Sequence, residues 1–166
     1  MNINLTPLQS QIVQEIDITN TYDIPKSYYD SFKIVSKLDK VQVTGKITLK
    51  LVADTDDTKD NLREYVEASI TSNATLIDSI SLEEVNYPIS IKYDDFLDEN
   101  SKKNQNTLDI FQFLWENIVL EIPLKYTKVE DFSKFHGDGW KLISEDDLVT
   151  KENNPFAELL KDTKEE

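Results

Sequence analysis

No cysteine occurs in the 166 residues, so disulfides and thiolate metal sites are excluded. Glycine is scarce: Gly45, Gly137 and Gly139 are the only three, and they form neither a phosphate loop nor a dinucleotide fingerprint, both of which need glycines between a strand and a helix. Histidine occurs once, as His136, with no nucleophile or orienting carboxylate expected beside it. It therefore reads as a solvated loop residue rather than a general base. Of eighteen basic residues only Arg63 is an arginine, which leaves bidentate recognition of phosphate or guanine almost without means. No apolar run approaches the roughly 20 residues that span a bilayer, and MNINLTPLQS lacks the basic and apolar regions of a leader. A soluble cytoplasmic protein without membrane contact is the expectation.

What the chain has in excess is acid, with a net charge of −14. Residues 1–40 carry four basic against five acidic groups, 41–100 five against thirteen, and 101–166 nine against fourteen. Charge-driven binding to RNA needs several cations set against phosphates, so direct RNA contact is expected to be weak or indirect. A basic protein partner suits this field better. Solubility alone is the plainer explanation of the same charge.

Period-two alternation dominates the first hundred residues. Val41, Val43, Gly45, Ile47, Leu49 and Leu51 alternate with polar residues, and Val66, Ala68, Ile70, Ala74 and Leu76 do so again after the polar stretch 54–61. The two runs, 40–54 and 63–77, predict an antiparallel pair. A third run, Val85, Tyr87, Ile89, Ile91 and Tyr93, predicts another long strand, at a sheet edge or bulged because Pro88 has no amide to donate. Ile12, Ile16 and Ile18 suggest an opening strand, and Pro25 a short helix carrying Tyr28, Tyr29 and Phe32, with Ile34, Val35 and Leu38 leading into the strand at Val41. Polar composition marks 98–106 as a mobile linker. Leu108, Phe111, Leu114, Trp115, Ile118 and Ile122 recur at three- and four-residue spacing, which predicts an amphipathic helix over 107–122 that Pro123 stops. A short last helix is expected from Asn154 and Pro155, burying Phe156, Leu159 and Leu160. The predicted fold is α+β within a single domain, 1–166. A twisted antiparallel sheet of about five or six strands fills 1–97, one amphipathic helix covers it, and 123–166 wraps back.

Independent chemistry is thin. Asp54, Asp56, Asp57 and Asp60 lack the glycine and spaced glutamate of an EF-hand loop. Two other acidic groups matter more: Asp94, Asp95, Asp98 and Glu99 after the third long strand, and Glu145, Asp146 and Asp147 after the sequence GDGW. Each is read first as solvated surface, then as a contact for a basic partner, and last as a loose Mg²⁺ site. Trp140 either caps the core at the chain's turn or stands exposed as an interface anchor. Trp115, on the apolar stripe of the helix, is packing.

Several short pieces fall in a recognisable order: Val43-Thr44-Gly45, the stretch from Asp78 to Leu82, Val85 to Pro88, Asp94-Asp95-Phe96, Leu108-Asp109-Ile110, Glu116, and Val119 to Leu124. Gly137-Asp138-Gly139-Trp140, Glu145-Asp146-Asp147 and Asn154-Pro155-Phe156 through Leu159 follow. Together these resemble the YceD-like proteins, a family named for large ribosomal RNA subunit accumulation, and within it the YlbN-type branch of low-GC Gram-positive bacteria. On this resemblance Gly45, Leu82, Asp109, Glu116, Pro123, Gly139, Pro155 and Leu159 are structural motif positions. Asp78 and Ile80 stand where the family has a cysteine and an arginine, and Phe156 where it has a C-terminal arginine, so roles of those side chains are lost. Paired cysteines that would suit zinc in some members are absent as well.

The resemblance implies a non-enzymatic, cofactor-free factor in large ribosomal subunit biogenesis. Charge adds the mechanism: an acidic surface that binds a basic large-subunit ribosomal protein or the assembling subunit. Two alternatives stay open. One is a metal-dependent nuclease of ribosomal RNA maturation built from Asp94, Asp95, Glu145, Asp146 and Asp147, and the other a plain RNA-binding module.

Overall fold

The computed structural model describes residues 1–52, 61–131 and 134–142. The chain divides into two compact units, Met1–Thr127 and Lys128–Glu166. The first holds an α+β fold built on a six-stranded antiparallel sheet. Its centre is β6 (Asn61–Ile77), flanked by β5 (Val41–Val52) on one side and β7 (Glu84–Phe96) on the other. The pairing of β5 with β6 runs from Gln42 opposite Thr71 to Val52 opposite Asn61, and that of β6 with β7 from Tyr65 opposite Phe96 to Ile77 opposite Glu84. Long alternating runs gave these three strands their register, because a slip of one residue would turn Val43, Ile47, Val66 and Ile70 out to water. Among the described residues β7 pairs with β6 alone, so Pro88 sits on an edge strand, where a missing amide is tolerated.

The other edge is assembled from short pieces. β2 (Glu15–Asp17) and β3 (Asn20–Tyr22) both pair with β5 in one common register and are interrupted at Ile18 and Thr19. Gly45 lies opposite that interruption. Its amide donates to the Thr19 hydroxyl (3.1 Å), and its carbonyl accepts from the Ile18 amide (3.0 Å). A Cβ at Gly45 would run into the Glu67 carbonyl and Ala68 of β6, so glycine is required by close backbone approach. β4 (Val35–Leu38) takes up the edge of β6 beyond the end of β5, with a bulge between Val35 and Lys37. That extra residue lets Val35 and Leu38, three apart, both face inward.

The opening forty residues depart from expectation. Ile12 is 78% exposed and lies outside any strand, and the chain begins instead with β1 (Asn2–Asn4) and a single helical turn, α1 (Thr6–Gln9), which buries Leu8. A 3₁₀ turn over Lys26–Tyr28 follows Pro25.

The expected mobile linker 98–106 is ordered structure. A 3₁₀ turn at Glu99–Ser101 leads into β8 (Lys102–Asn104), which pairs with β9 (Thr107–Asp109), and β9 pairs with β1 to complete a three-stranded sheet. Low hydrophobicity misled here because Ser101 and the side chain of Lys102 are buried by hydrogen bonds and charge pairing rather than by apolar contact. For the same reason the main helix, α2, spans Ile110–Glu121 and not 107–122. Thr107–Asp109 is strand, and Asp109 caps the helix by accepting from the Phe111 amide (3.1 Å). α2 buries Ile110, Phe113, Leu114, Trp115 and Ile118 in the same core as Val43, Ile47, Val66, Ile70 and Ile91 of the sheet. Phe113 meets Tyr93 edge-on at 5.0 Å, and Trp115 packs with Tyr29 and Phe32. Ile122 and Pro123 leave the helical conformation as expected of a proline stop.

The second unit contains a small hairpin, β10 (His136–Gly137) and β11 (Trp140–Lys141), turned by Asp138 and Gly139. Gly139 has φ +81°, a left-handed conformation that suits glycine. The short C-terminal helix expected at Pro155 and Leu159 lies outside the described residues.

Candidate functional site

The acidic group after the third long strand lies at the far end of β7. Asp94, Asp95, Asp98 and Glu99 are all exposed. Register makes Asp94 the direct neighbour of Glu67 across β6 and β7, on the face turned away from the core. Like charges placed opposite each other on a sheet destabilise it, so this pairing carries an electrostatic cost. Lys50 relieves part of the repulsion, bonding Glu67 at 3.0 Å while lying 3.4 Å from the centre of the Tyr65 ring. The Tyr65 hydroxyl donates to the Asp94 backbone carbonyl (3.0 Å). The Asp94 side chain, as a hydrogen-bond partner, followed by burial and the nearby charges of Asp94 and Asp95, holds the phenol above its ordinary pKa, with Lys50 opposing.

The remaining acids of the group have local structural tasks. Asp95 accepts from the Phe96 amide (2.7 Å), Asp98 caps the following 3₁₀ turn through the Asn100 amide (2.8 Å), and Glu99 bonds Lys102 (2.8 Å). Two carboxylates, Glu67 and Asp94, thus form the nucleus, with Asp95, Asp98 and Glu99 extending it. Glu67 was not among the expected residues, although the alternation of β6 places it on the wet face in line with Arg63 and Tyr65.

Beside this surface lies a buried ionic network. Glu64 sits on the inward parity of β6, between Leu62 and Val66, and accepts from the Gln9 side-chain amide (2.6 Å) and from Lys102 (3.0 Å). The two charged side chains are only 8% and 7% exposed. Burial opposes the charged form of Glu64. Hydrogen bonds from Gln9 and Lys102 together outweigh it, and the carboxyl stays below the usual glutamate range. For Lys102, burial again opposes the charge, and the bonds to Glu99 and Glu64 raise its pKa regardless. Val52, Leu62, Arg63, Glu64, Glu99 and Lys102 line a cleft of about 490 Å³ here. An acid on the inward parity of a strand was the signal that could have located this network from sequence.

The other motif positions resolve into structural roles. Leu82 belongs to the turn between β6 and β7, with φ +61°. Asp78 organises that turn: it is 1% exposed, and its carboxylate accepts from the Ile80 (2.9 Å) and Ser81 (3.0 Å) amides. Besides its capping bond, Asp109 accepts from the Tyr28 hydroxyl (3.0 Å). Glu116 accepts from the Ser101 hydroxyl (2.5 Å) and the Gln112 amide (2.8 Å), which ties α2 to the segment before β8. Trp140 is placed on β11 by its backbone, while its side chain lies outside what is described, as do Glu145, Asp146 and Asp147. His136 is exposed on β10. Among the described residues no three acidic or histidine side chains converge as a metal site. No helix among them is long and apolar enough to cross a membrane.

Compared with known proteins, the chain matches no family model, no curated protein and no solved structure.

Proposed function

We propose that this protein is a non-enzymatic factor in the biogenesis of the large ribosomal subunit, acting through an acidic surface that receives a basic ribosomal protein. The observation that carries the mechanism is the juxtaposition of Glu67 and Asp94, continued by Asp95, in a chain of net charge −14. An incoming lysine or arginine side chain relieves the repulsion between those carboxylates, so binding is favoured where the free protein is strained. The ribosomal assignment rests on the ordered resemblance to the YceD-like proteins, from Val43-Thr44-Gly45 through Gly139-Trp140. In the same reading α2 is the cover of the sheet's core face, which its shared core with Val66 and Ile70 supports.

Depleting the protein from its cell should lower mature large-subunit RNA relative to small-subunit RNA. Wild-type protein should restore the ratio, and a variant combining Asp94→Lys with Asp95→Lys should not. An unchanged ratio on depletion would refute the assignment.

A second reading, direct contact with single-stranded RNA, has one observation on its side. Tyr65 and Phe96 meet edge-on at 5.1 Å on the open face of the sheet, beside Lys50 and with Arg63 5.6 Å from the Phe96 ring. Aromatic side chains beside cations can stack bases. Saturable RNA binding at low salt that Phe96→Ala abolishes would favour that reading.

A further inference from the structure

The opposite end of β7 presents a different kind of surface. Leu82 is 73% exposed, Leu120 83% and Leu124 93%, whereas the leucines at 5, 8, 76, 97, 108 and 114 are buried. A chain of contacts joins the segments that carry these three. Ser79 and Tyr126 exchange two hydrogen bonds: the Ser79 amide donates to the Tyr126 carbonyl (2.8 Å), and the Tyr126 amide to the Ser79 hydroxyl (3.1 Å). Tyr126 packs edge-on with Tyr87 (5.2 Å), whose hydroxyl donates to the Glu121 carbonyl at the end of α2 (3.1 Å). The turn carrying Leu82 is thereby clipped to the segment carrying Leu120 and Leu124. At that clip Ser79, Ile80, Lys125, Tyr126 and Thr127 line a cleft of about 420 Å³.

Leu82 is the informative member. Its φ of +61° is left-handed, a conformation that disfavours a residue with a Cβ and suits glycine or asparagine. Burial would normally compensate such a residue, and here the side chain is mostly in water. Local stability therefore gives no reason for leucine at this position. Strain kept at an exposed apolar side chain points to a contact made outside the free protein. Three exposed acids, Glu83, Glu84 and Glu121, belong to the turn and the helix end, against one exposed cation, Lys125, in the cleft.

We infer that the β6–β7 turn and the C-terminal end of α2 form a second docking surface, for an apolar side chain flanked by lysine or arginine on the same basic protein. This rests on the proposed ribosomal role and deepens it. Acids at the Asp94 end steer the partner, while Leu82, Leu120 and Leu124 supply the desolvated contact that sets its lifetime. The ends are ten residues apart along β7, on the order of 30 Å, so one extended or elongated partner reaches both.

The test uses the full chain and the protein fraction extracted from purified large ribosomal subunits, with retained proteins quantified and dissociation followed. Leu82→Asn and Leu124→Ser should each dissociate about tenfold faster from the retained partner, as expected for truncating an interface anchor. Leu82→Asn should at the same time raise the thermal midpoint, since asparagine accepts the left-handed backbone. Charge reversal at Asp94 and Asp95 should slow association instead. If both leucine variants hold the partner as wild type does while charge reversal weakens it, this surface is not used and the acidic reading stands. If no large-subunit protein is retained by wild type, both fall. Loss of a self-associated form in the leucine variants would assign the surface to a second copy of the chain, and retention of ribosomal RNA in place of protein would equally overturn the inference.

Discussion

Replacing Lys102 by methionine removes one charge of the Glu64–Lys102 pair and leaves the other buried. Both side chains are more than nine-tenths covered, and the Lys102 ammonium holds Glu64 at 3.0 Å and Glu99 at 2.8 Å. An ion pair this enclosed adds little net stability over a well-packed apolar pair, because desolvation offsets the attraction, but removing one partner strands a charge at a cost of about 3–5 kcal/mol. Gln9 still donates to Glu64 in the variant, which places the expected loss toward the lower bound. The double replacement Glu64→Leu with Lys102→Met should recover most of it. Urea denaturation of the three proteins measures these differences directly. A loss below about 0.5 kcal/mol for Lys102→Met would show that the pair is solvated and that β8 is not held as described. The pH dependence follows with defined sign. The folded state lowers the Glu64 pKa, so its contribution is complete above the ordinary glutamate range and is lost as pH falls through the folded value. The Lys102 pKa is raised, so its contribution is complete below the ordinary lysine range and is lost as pH rises through the folded value. Stability from the pair should be flat from about pH 5 to about pH 10 and decline outside that window.

Gly45→Ala should destabilise the protein by about 1–3 kcal/mol, because its methyl meets the backbone of β6, and a thermal midpoint unchanged from wild type would contradict the close approach. Leu114→Ala and Ile118→Ala, both fully buried in α2, should each cost about 2–5 kcal/mol in denaturant unfolding. Thr48→Val should stabilise by about 1 kcal/mol, since the buried Thr48 hydroxyl has no hydrogen-bond partner among the described residues, and calorimetry would show a raised midpoint.

The long strands were legible because a dozen alternating residues fix both the period and the buried face: Gln42 to Val52 pair antiparallel with Thr71 to Asn61, while Ala74 to Leu76 pair with β4 instead. Three-residue strands carry no period. β1 and β9 exist through pairing across some hundred residues, as between Ile3 and Leu108, which no local pattern encodes, and β8 is the short local partner of β9. Composition misjudged 98–106 because a lysine can be buried when two carboxylates meet it. The Asp94 and Asp95 end was visible as a run of acids, but its nucleus needed Glu67, brought alongside by register. Leu82 shows the reverse case: it resembles a structural motif leucine in sequence, yet its side chain is in solvent, and only φ reveals the strain. Asp78 looked like a departure from the family pattern and is the residue that builds that turn.

A basic large-subunit ribosomal protein is proposed to bind the acidic end of β7. Affinity purification of the full chain from its own cell at increasing salt, with every large-subunit protein quantified against a bait-free control, tests it most directly. One lysine- and arginine-rich large-subunit protein should be enriched at low salt, fall away as salt screens the carboxylates, and be depleted when Asp94 and Asp95 are replaced by lysine. A profile in which no large-subunit protein rises above the control at any salt concentration would contradict it.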